Sequence, residues 1–229
     1  MFKTETHLHV AEVSRCGKIR AAEMIRLYHE AGYSTVFVAD HFYQEYFDSL
    51  GELSWEDKVT VFLSGYYRAK EAGKKYGMNI LMSAEFAFPG SANHYLAYGL
   101  TREFLNTHPD LPTMDIETFY RIACENGLFI VQAHPFRDDV CHPTPEYVHG
   151  IEVYNSNPRH NDFSEKSIQT AEENSKYMIG GSDAHRSEDV AGSGVISETE
   201  IVSAQEFIDM VKSGRTAVYK RCEDDLSAE

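Results

Sequence analysis

Short β-branched and aromatic runs alternate with helical patterns along the chain, and most runs end in a histidine or a carboxylate. This alternation constrains the fold more than any single motif. Residues 2–10 read as the first strand. Ala21, Met24, Ile25 and Tyr28 then recur at helical spacing until Gly32 stops the pattern. Residues 35–39 read as a strand, and residues 55–76 as one long helix closed by Gly77. Further strands are expected at 79–84, 94–100, 128–133, 150–154, 177–181 and 216–219, with helices near 114–126, 164–175 and 204–213. Strands separated by helices imply a mainly parallel sheet. Such sheets build their sites at the C-terminal strand ends.

Size and charge narrow the possibilities. The chain has 229 residues, 42% of them hydrophobic, enough for one α/β core. It lacks low-complexity tracts, internal repeats and any apolar run of about 18 residues, so no membrane span is expected. The N-terminus has no basic segment leading into an apolar one, so no signal peptide is expected and the cytoplasm is the expected compartment. Cys16, Cys124, Cys141 and Cys222 form no C-x-x-C pair and read as free thiols. A net charge of −15 argues against a partner as long as a nucleic acid. Small phosphates stay open, because bound cations reverse the local sign. The oligomeric state is not legible.

The chemistry lies in the strand-end residues. In His7-Leu8-His9 the two imidazoles share one face of a strand, as one metal needs, although two surface histidines would also fit. Asp183-Ala184-His185 repeats the geometry after the small residues Gly180, Gly181 and Ser182; a turn with a satisfied histidine is the plainer alternative. Glu85 is placed to bridge two cations or to form a salt bridge at a rim. His134 enters the same site, or else is a buried structural histidine, and Pro135 turns the chain away. Asp40-His41 adds a second carboxylate and imidazole, with Asp40 either a ligand or the residue that orients one. Together, histidine and carboxylate donors suit zinc, manganese or iron and exclude a purely calcium-type site.

His7-x-His9, Asp40-His41, Glu85, His134 in "QAHPF" and Asp183-x-His185 in "GGSDAH" resemble, in order and over nearly the whole chain, the PHP (polymerase and histidinol phosphatase) family. The resemblance implies a distorted (β/α)7 TIM-like barrel and a single domain, spanning 1–220 with an acidic tail at 221–229. It also implies phosphoester hydrolysis at a centre of two or three divalent metal ions. By that resemblance His7, His9, Glu85 and Asp183 hold the first ion. Glu85 bridges to a second, bound also by His134 and His94. His41 and His185 hold a third, with Glu12 the best further ligand and Cys16 a weaker one. Asp183 and His160 are the expected catalytic residues. Arg137, Arg159 and Arg186 are the candidates for binding a small phosphorylated substrate; a solvated loop is the alternative for the 159–160 pair. The expected reaction is attack by a hydroxide bridging two metals. An amidohydrolase-type C–N hydrolase and a non-catalytic PHP regulatory module are the competing readings. The aromatic stretch with Phe42, Tyr43, Tyr46, Phe47 and Trp55 is expected to form its own small core or to cap the site.

Overall fold

The computed structural model describes residues 1–221. Cys222 and all but the first residue of the expected acidic tail lie outside the described residues. The strands are β1 (Phe2–Leu8), β2 (Tyr33–Val38), β3 (His41–Phe42), β4 (Asn79–Ala87), β5 (His94–Tyr98), β6 (Phe129–Ala133), β7 (Gly150–Asn155), β8 (Tyr177–Gly181), β9 (Ser193–Ser197) and β10 (Thr216–Lys220). The helices are α1 (Ala21–Glu30), α2 (Gln44–Asp48), α3 (Trp55–Phe62), α4 (Ser64–Tyr76), α5 (Arg102–Thr107), α6 (Ile116–Glu125), α7 (Ser164–Glu173) and α8 (Ala204–Lys212).

The strand order is β10-β9-β1-β2-β4-β5-β6-β7-β8, with β3 added on β4. Just past β8, Ala184 bridges Leu8 in parallel, and His9 N–H donates to Ala184 O at 3.1 Å. The seven strands from β1 round to β8 therefore nearly close into a barrel, as the resemblance implied. One wall strand departs from the expected parallel arrangement. β5 runs antiparallel to both β4 and β6. Only residues 88–93, with Pro89-Gly90 among them, separate β4 from β5, too few for a crossover. β9, not anticipated, adds antiparallel to β1 and carries β10 on its outer edge.

Local chemistry sets the helices. Ser203 Oγ caps α8 by accepting Glu206 N–H, and Asp115 Oδ1 caps α6 by accepting Thr118 N–H. Gly77, in the left-handed region at φ 66°, ends α4. The expected single helix over 55–76 is two helices, broken at Leu63 (φ −76°, ψ −1°) just before Ser64-Gly65, a pair that favours kinks.

Phe207 of α8 packs 4.9 Å from Phe37 and 4.8 Å from Tyr98, joining the helix layer to the barrel. Met24, Ile25 and Tyr28 of α1 are buried in one cluster with Leu8, Val36 and Ala69. Each large apolar side chain buried in this way contributes about 1.5–3 kcal/mol. The aromatic stretch forms no core of its own but joins a larger buried cluster with β4, β5 and α6: Phe42 lies 4.5 Å from both Phe47 and Phe86, and Trp55 Nε1 donates to Leu105 O. No helix is long and apolar enough to cross a membrane among the described residues.

Gly181 ends β8 where no side chain fits. A Cβ there would stand 2.5 Å from Glu152 Oε1 and 2.6 Å from His7 Cβ. Gly181→Ala should therefore cost about 2 kcal/mol by overpacking. Thermal unfolding followed by circular dichroism should show a midpoint about 4–8 °C lower; an unchanged midpoint would mean that this contact is slack.

Candidate metal centre

The C-terminal strand ends bring the donors together. His7 lies in β1 and His9 just after it, His41 opens β3, and Glu85 sits near the end of β4. His94 begins its strand yet reaches the same end, because antiparallel β5 pairs it with Ala87 of β4 and Ala133 of β6. His134 and Asp183 follow β6 and β8 in left-handed backbone, at φ 28° and 50°. Non-glycine residues hold such angles at a cost of about 1–3 kcal/mol, and both turns aim a donor inward.

Glu85 is the hub. Its Oε1 lies 2.8 Å from His94 Nδ1, 3.0 Å from His134 Nε2 and 3.5 Å from His7 Nε2. Its Oε2 lies 2.6 Å from His41 Nδ1 and 3.4 Å from His9 Nε2. Asp183 Oδ1 stands 3.2 Å from His9 Nε2 and 3.5 Å from His7 Nε2. His7, His9, Glu85, His134 and Asp183 are all buried.

The residues fit divalent cations. His7 Nε2 and His9 Nε2, which face the carboxylates, are buried without a hydrogen-bond partner, although an unsatisfied buried polar group costs about 1–3 kcal/mol. Their neighbours fix which ring nitrogen is free. His7 Nδ1–H donates to Glu152 Oε1 at 2.9 Å. Ser14 Oγ donates to Asp40 Oδ1 at 2.7 Å, so His9 Nδ1, 3.3 Å away, is the donor to that hydroxyl. Both Nε2 atoms then face the carboxylates, the usual setting of a ligating imidazole. Four overlapping sets of donors lie close enough to share an ion: His7, His9 and Glu85; His7, His134 and Asp183; His41, Glu85 and His94; and His9, His41 and His185.

Burial pushes Glu85 up, but His94, His41 and His7 hold it well below the usual carboxylate range. Burial likewise opposes Asp183, which His7 and His9 hold low. Burial disfavours a charged His7, yet Glu152, Asp183 and Glu85 raise its pKa well above the ordinary value. His134 is raised to about 9 against burial, through Cys141 and Glu85. His9 is pushed well down by burial and by the neighbouring His41 and His185.

Several expected site residues have other places. Glu12 is a correction: its Oε2 accepts Ala21 N–H at 2.9 Å and starts α1, and it joins none of the donor sets. Cys16 stands nearer, its sulfur 3.1 Å from His41 Nε2. Asp40 takes the orienting role, through Ser14 and the Val10 N–H. Arg159 is clamped by Asp189 at 2.6 and 2.7 Å, and Asp189 also accepts the His185 and Arg186 N–H groups. Arg137 Nη1 lies 3.3 Å from His134 Nε2. His160 pairs with Asp138 at 2.7 Å and lines, with Lys18, Arg159 and Arg186, a cleft of about 290 Å³ beside His185. A second cleft of about 310 Å³ lies over His41 and His94, with Arg15 and Tyr43 on its walls.

Two buried carboxylates were missed. Glu152 holds His7 and also accepts His134 N–H and Asn155 Nδ2. Glu5 accepts from the His7 and Ser182 amides and from Tyr28 OH, and burial lifts it to about 7 despite those bonds. The signal was available: a lone carboxylate inside an apolar strand must have a partner.

The segment 160–216 matches a family model described as PHP-associated. No curated protein matches the chain. Solved structures share the fold. A two-domain protein from Bacteroides vulgatus containing a predicted PHP-like metal-dependent phosphoesterase aligns over 96% of this chain at 20% identity and TM-score 0.70. This chain spans 65% of that protein's length. An amidohydrolase from Chromobacterium violaceum, solved with sulfate and no metal, aligns at 14% identity over 97% of this chain and 99% of its own, with TM-score 0.57. A lesion-specific endonuclease from Pyrococcus furiosus aligns at 14% identity over 95% of this chain and 57% of its own, with TM-score 0.59. The fold is thus that of the PHP-type barrels. The matched segment, which carries Asp183 and His185, supports the PHP family read from the motifs.

Protons on His7 and His134 offset the carboxylates until a cation replaces them. Both pKa values are raised, so each imidazole stays protonated at pH 7 and loses its proton as pH rises. Cation uptake at pH 7 should release protons and tighten as pH rises toward about 9. Calorimetry in buffers of different ionisation enthalpy measures this; buffer-independent heats would contradict it.

Proposed function

We propose that the protein is a metal-dependent phosphoesterase acting on a small phosphate ester. The observation that carries this reading is a buried cluster of His7, His9, Glu85, His134 and Asp183 beside a cleft lined by Lys18, Arg159, His160 and Arg186. Cationic side chains gathered at one mouth of a chain with net charge −15 suit an anionic substrate.

His7, His9, Glu85 and Asp183 would hold one ion, and Glu85, His94 and His134 a second. Bound divalent cations, of the zinc, manganese or iron type, would supply a hydroxide near neutral pH and offset charge on the phosphoryl oxygens. The chain's own groups do the rest. Asp40 and Glu152 hold the rings of His9 and His7 in register. Lys18 and Arg186 meet the substrate's anionic oxygens, while Arg159, engaged with Asp189, steadies the loop that carries His185. His160, paired with Asp138 and lining the same cleft, would protonate the leaving oxygen. The strong net negative charge disfavours a long polyanion as substrate.

The Chromobacterium neighbour's name keeps C–N hydrolysis as the rival. A glutamate stands in the bridging place: Glu85 lies within 3.5 Å of ring nitrogens of His7, His9, His41, His94 and His134, which speaks for the ester reading. The test is turnover of p-nitrophenyl phosphate, a panel of phosphate monoesters and a panel of cyclic amides by manganese-reconstituted protein. Ester cleavage that chelation abolishes and manganese restores is the expected result. His9→Ala should lower it by more than about 100-fold, beyond the range of a residue that only supports a ligand. Amide turnover without ester turnover would replace this proposal with the rival, and cleavage of neither would favour a regulatory module.

A further inference from the structure

We propose that Glu5 is a positioning residue: its carboxylate takes the place of a strand ladder at the barrel seam and so sets His7 and Asp183 at the spacing that one cation needs. The inference rests on the metal-centre reading above and concerns a residue outside the donor sets. Among the described residues, β8 forms a ladder only with β7, and β1 only with β2 and β9. The β9 ladder covers its edge of β1 over Phe2, Lys3 and Thr4. From Glu5 onward that edge faces the segment after β8, where Leu8 and Ala184 form an isolated parallel bridge.

A parallel ladder running back from that bridge would match Thr6 with Ser182 and would use the N–H groups of His7 and Ser182. The Glu5 side chain enters the gap instead. Its Oε1 accepts both amides, His7 N–H at 2.7 Å and Ser182 N–H at 3.0 Å. Its Oε2 accepts Tyr28 OH at 2.8 Å, and Ser182 Oγ lies 2.6 Å from that hydroxyl. One residue earlier, Thr6 Oγ1 donates to Gly180 O at 2.6 Å. Glu5, Thr6, His7 and Ser182 are fully buried, so these backbone donors need a partner from the chain itself.

Both amides belong to residues that place a donor. His7 carries its own ring, and Ser182 directly precedes Asp183, whose φ of 50° aims the carboxylate inward. His7 Nε2 and Asp183 Oδ1 end 3.5 Å apart. Two ligand bonds of about 2.0 Å at a tetrahedral angle separate their donors by about 3.3 Å. Donors for one ion must be held to within about 0.5 Å. Glu152 fixes the turn of the His7 ring, whereas Glu5 fixes the backbone beneath that ring against the backbone that carries Asp183. A single oxygen shared by the two amides links the first strand of the barrel to the turn that follows its last.

The test is manganese affinity, measured by calorimetry on metal-free full-length protein, with the thermal midpoint of each variant alongside. Glu5→Met keeps the bulk and removes both oxygens. Glu5→Gln keeps the oxygen that takes the two amides, and Tyr28→Phe removes only the hydroxyl at Oε2. Affinity is expected to fall about 10–100-fold in Glu5→Met and to stay within about threefold of wild type in Glu5→Gln and Tyr28→Phe, even where Tyr28→Phe lowers the midpoint. Wild-type affinity in Glu5→Met, or a loss in Glu5→Gln as large as in Glu5→Met, overturns the positioning role. If Glu5→Met does not fold, amide hydrogen exchange in metal-free wild type and Glu5→Gln decides. A Ser182 N–H protected in both is the expected result, and fast exchange there overturns the proposal. Wild type that takes up no manganese overturns the metal-centre reading on which the proposal rests.

Discussion

Glu85 and Asp183 are buried at the mouth of the barrel, each within 3.5 Å of His7 Nε2 and of His9 Nε2, and the imidazoles around them hold both below the usual carboxylate range. Two carboxylates a few ångströms apart repel by roughly 3 kcal/mol even at an effective dielectric of about 20. Positive charge has to lie between them. Without cations, protonated imidazoles of His7 and His134 supply it, and cations do so when bound. The rest of the site follows from this constraint. Histidines surround the carboxylates, and a further layer of hydrogen bonds keeps each ring edge-on. Glu152 behind His7 and Asp40 behind Ser14 are that layer.

The barrel serves the same end. Donors arrive on separate elements, and the last turn of several is bent inward at some cost. His134 and Asp183 take left-handed backbone, and Gly181 clears the space in which Glu152 reaches His7. Antiparallel β5 is part of the device, because it delivers His94 at the start of a strand to an end otherwise served by strand termini.

Much of this was legible in the sequence. His7-x-His9 and Asp183-x-His185 place paired donors by strand periodicity, and Glu85 and His134 mark where apolar runs stop. Those positions converge as expected. What stayed hidden depended on three-dimensional partners. Glu12 has the right chemistry and the right neighbourhood in sequence, but the open N-terminus of α1 claims its carboxylate. Arg159 looked free for phosphate, yet it is bound to Asp189, which lies thirty residues on. Glu5 and Glu152 passed for ordinary strand residues because their partners come from other strands. The break at Leu63 was masked by helical periodicity that runs through it, and β9 by its small residues.

The central claim is that residues from His7 to His185 share cations in one pocket. Anomalous diffraction from crystals grown with manganese, or zinc, measures this most directly. The account predicts one peak among His7, His9, Glu85 and Asp183, and a second beside Glu85, His94 and His134. A map with no anomalous density among these side chains, at saturating metal, would contradict it.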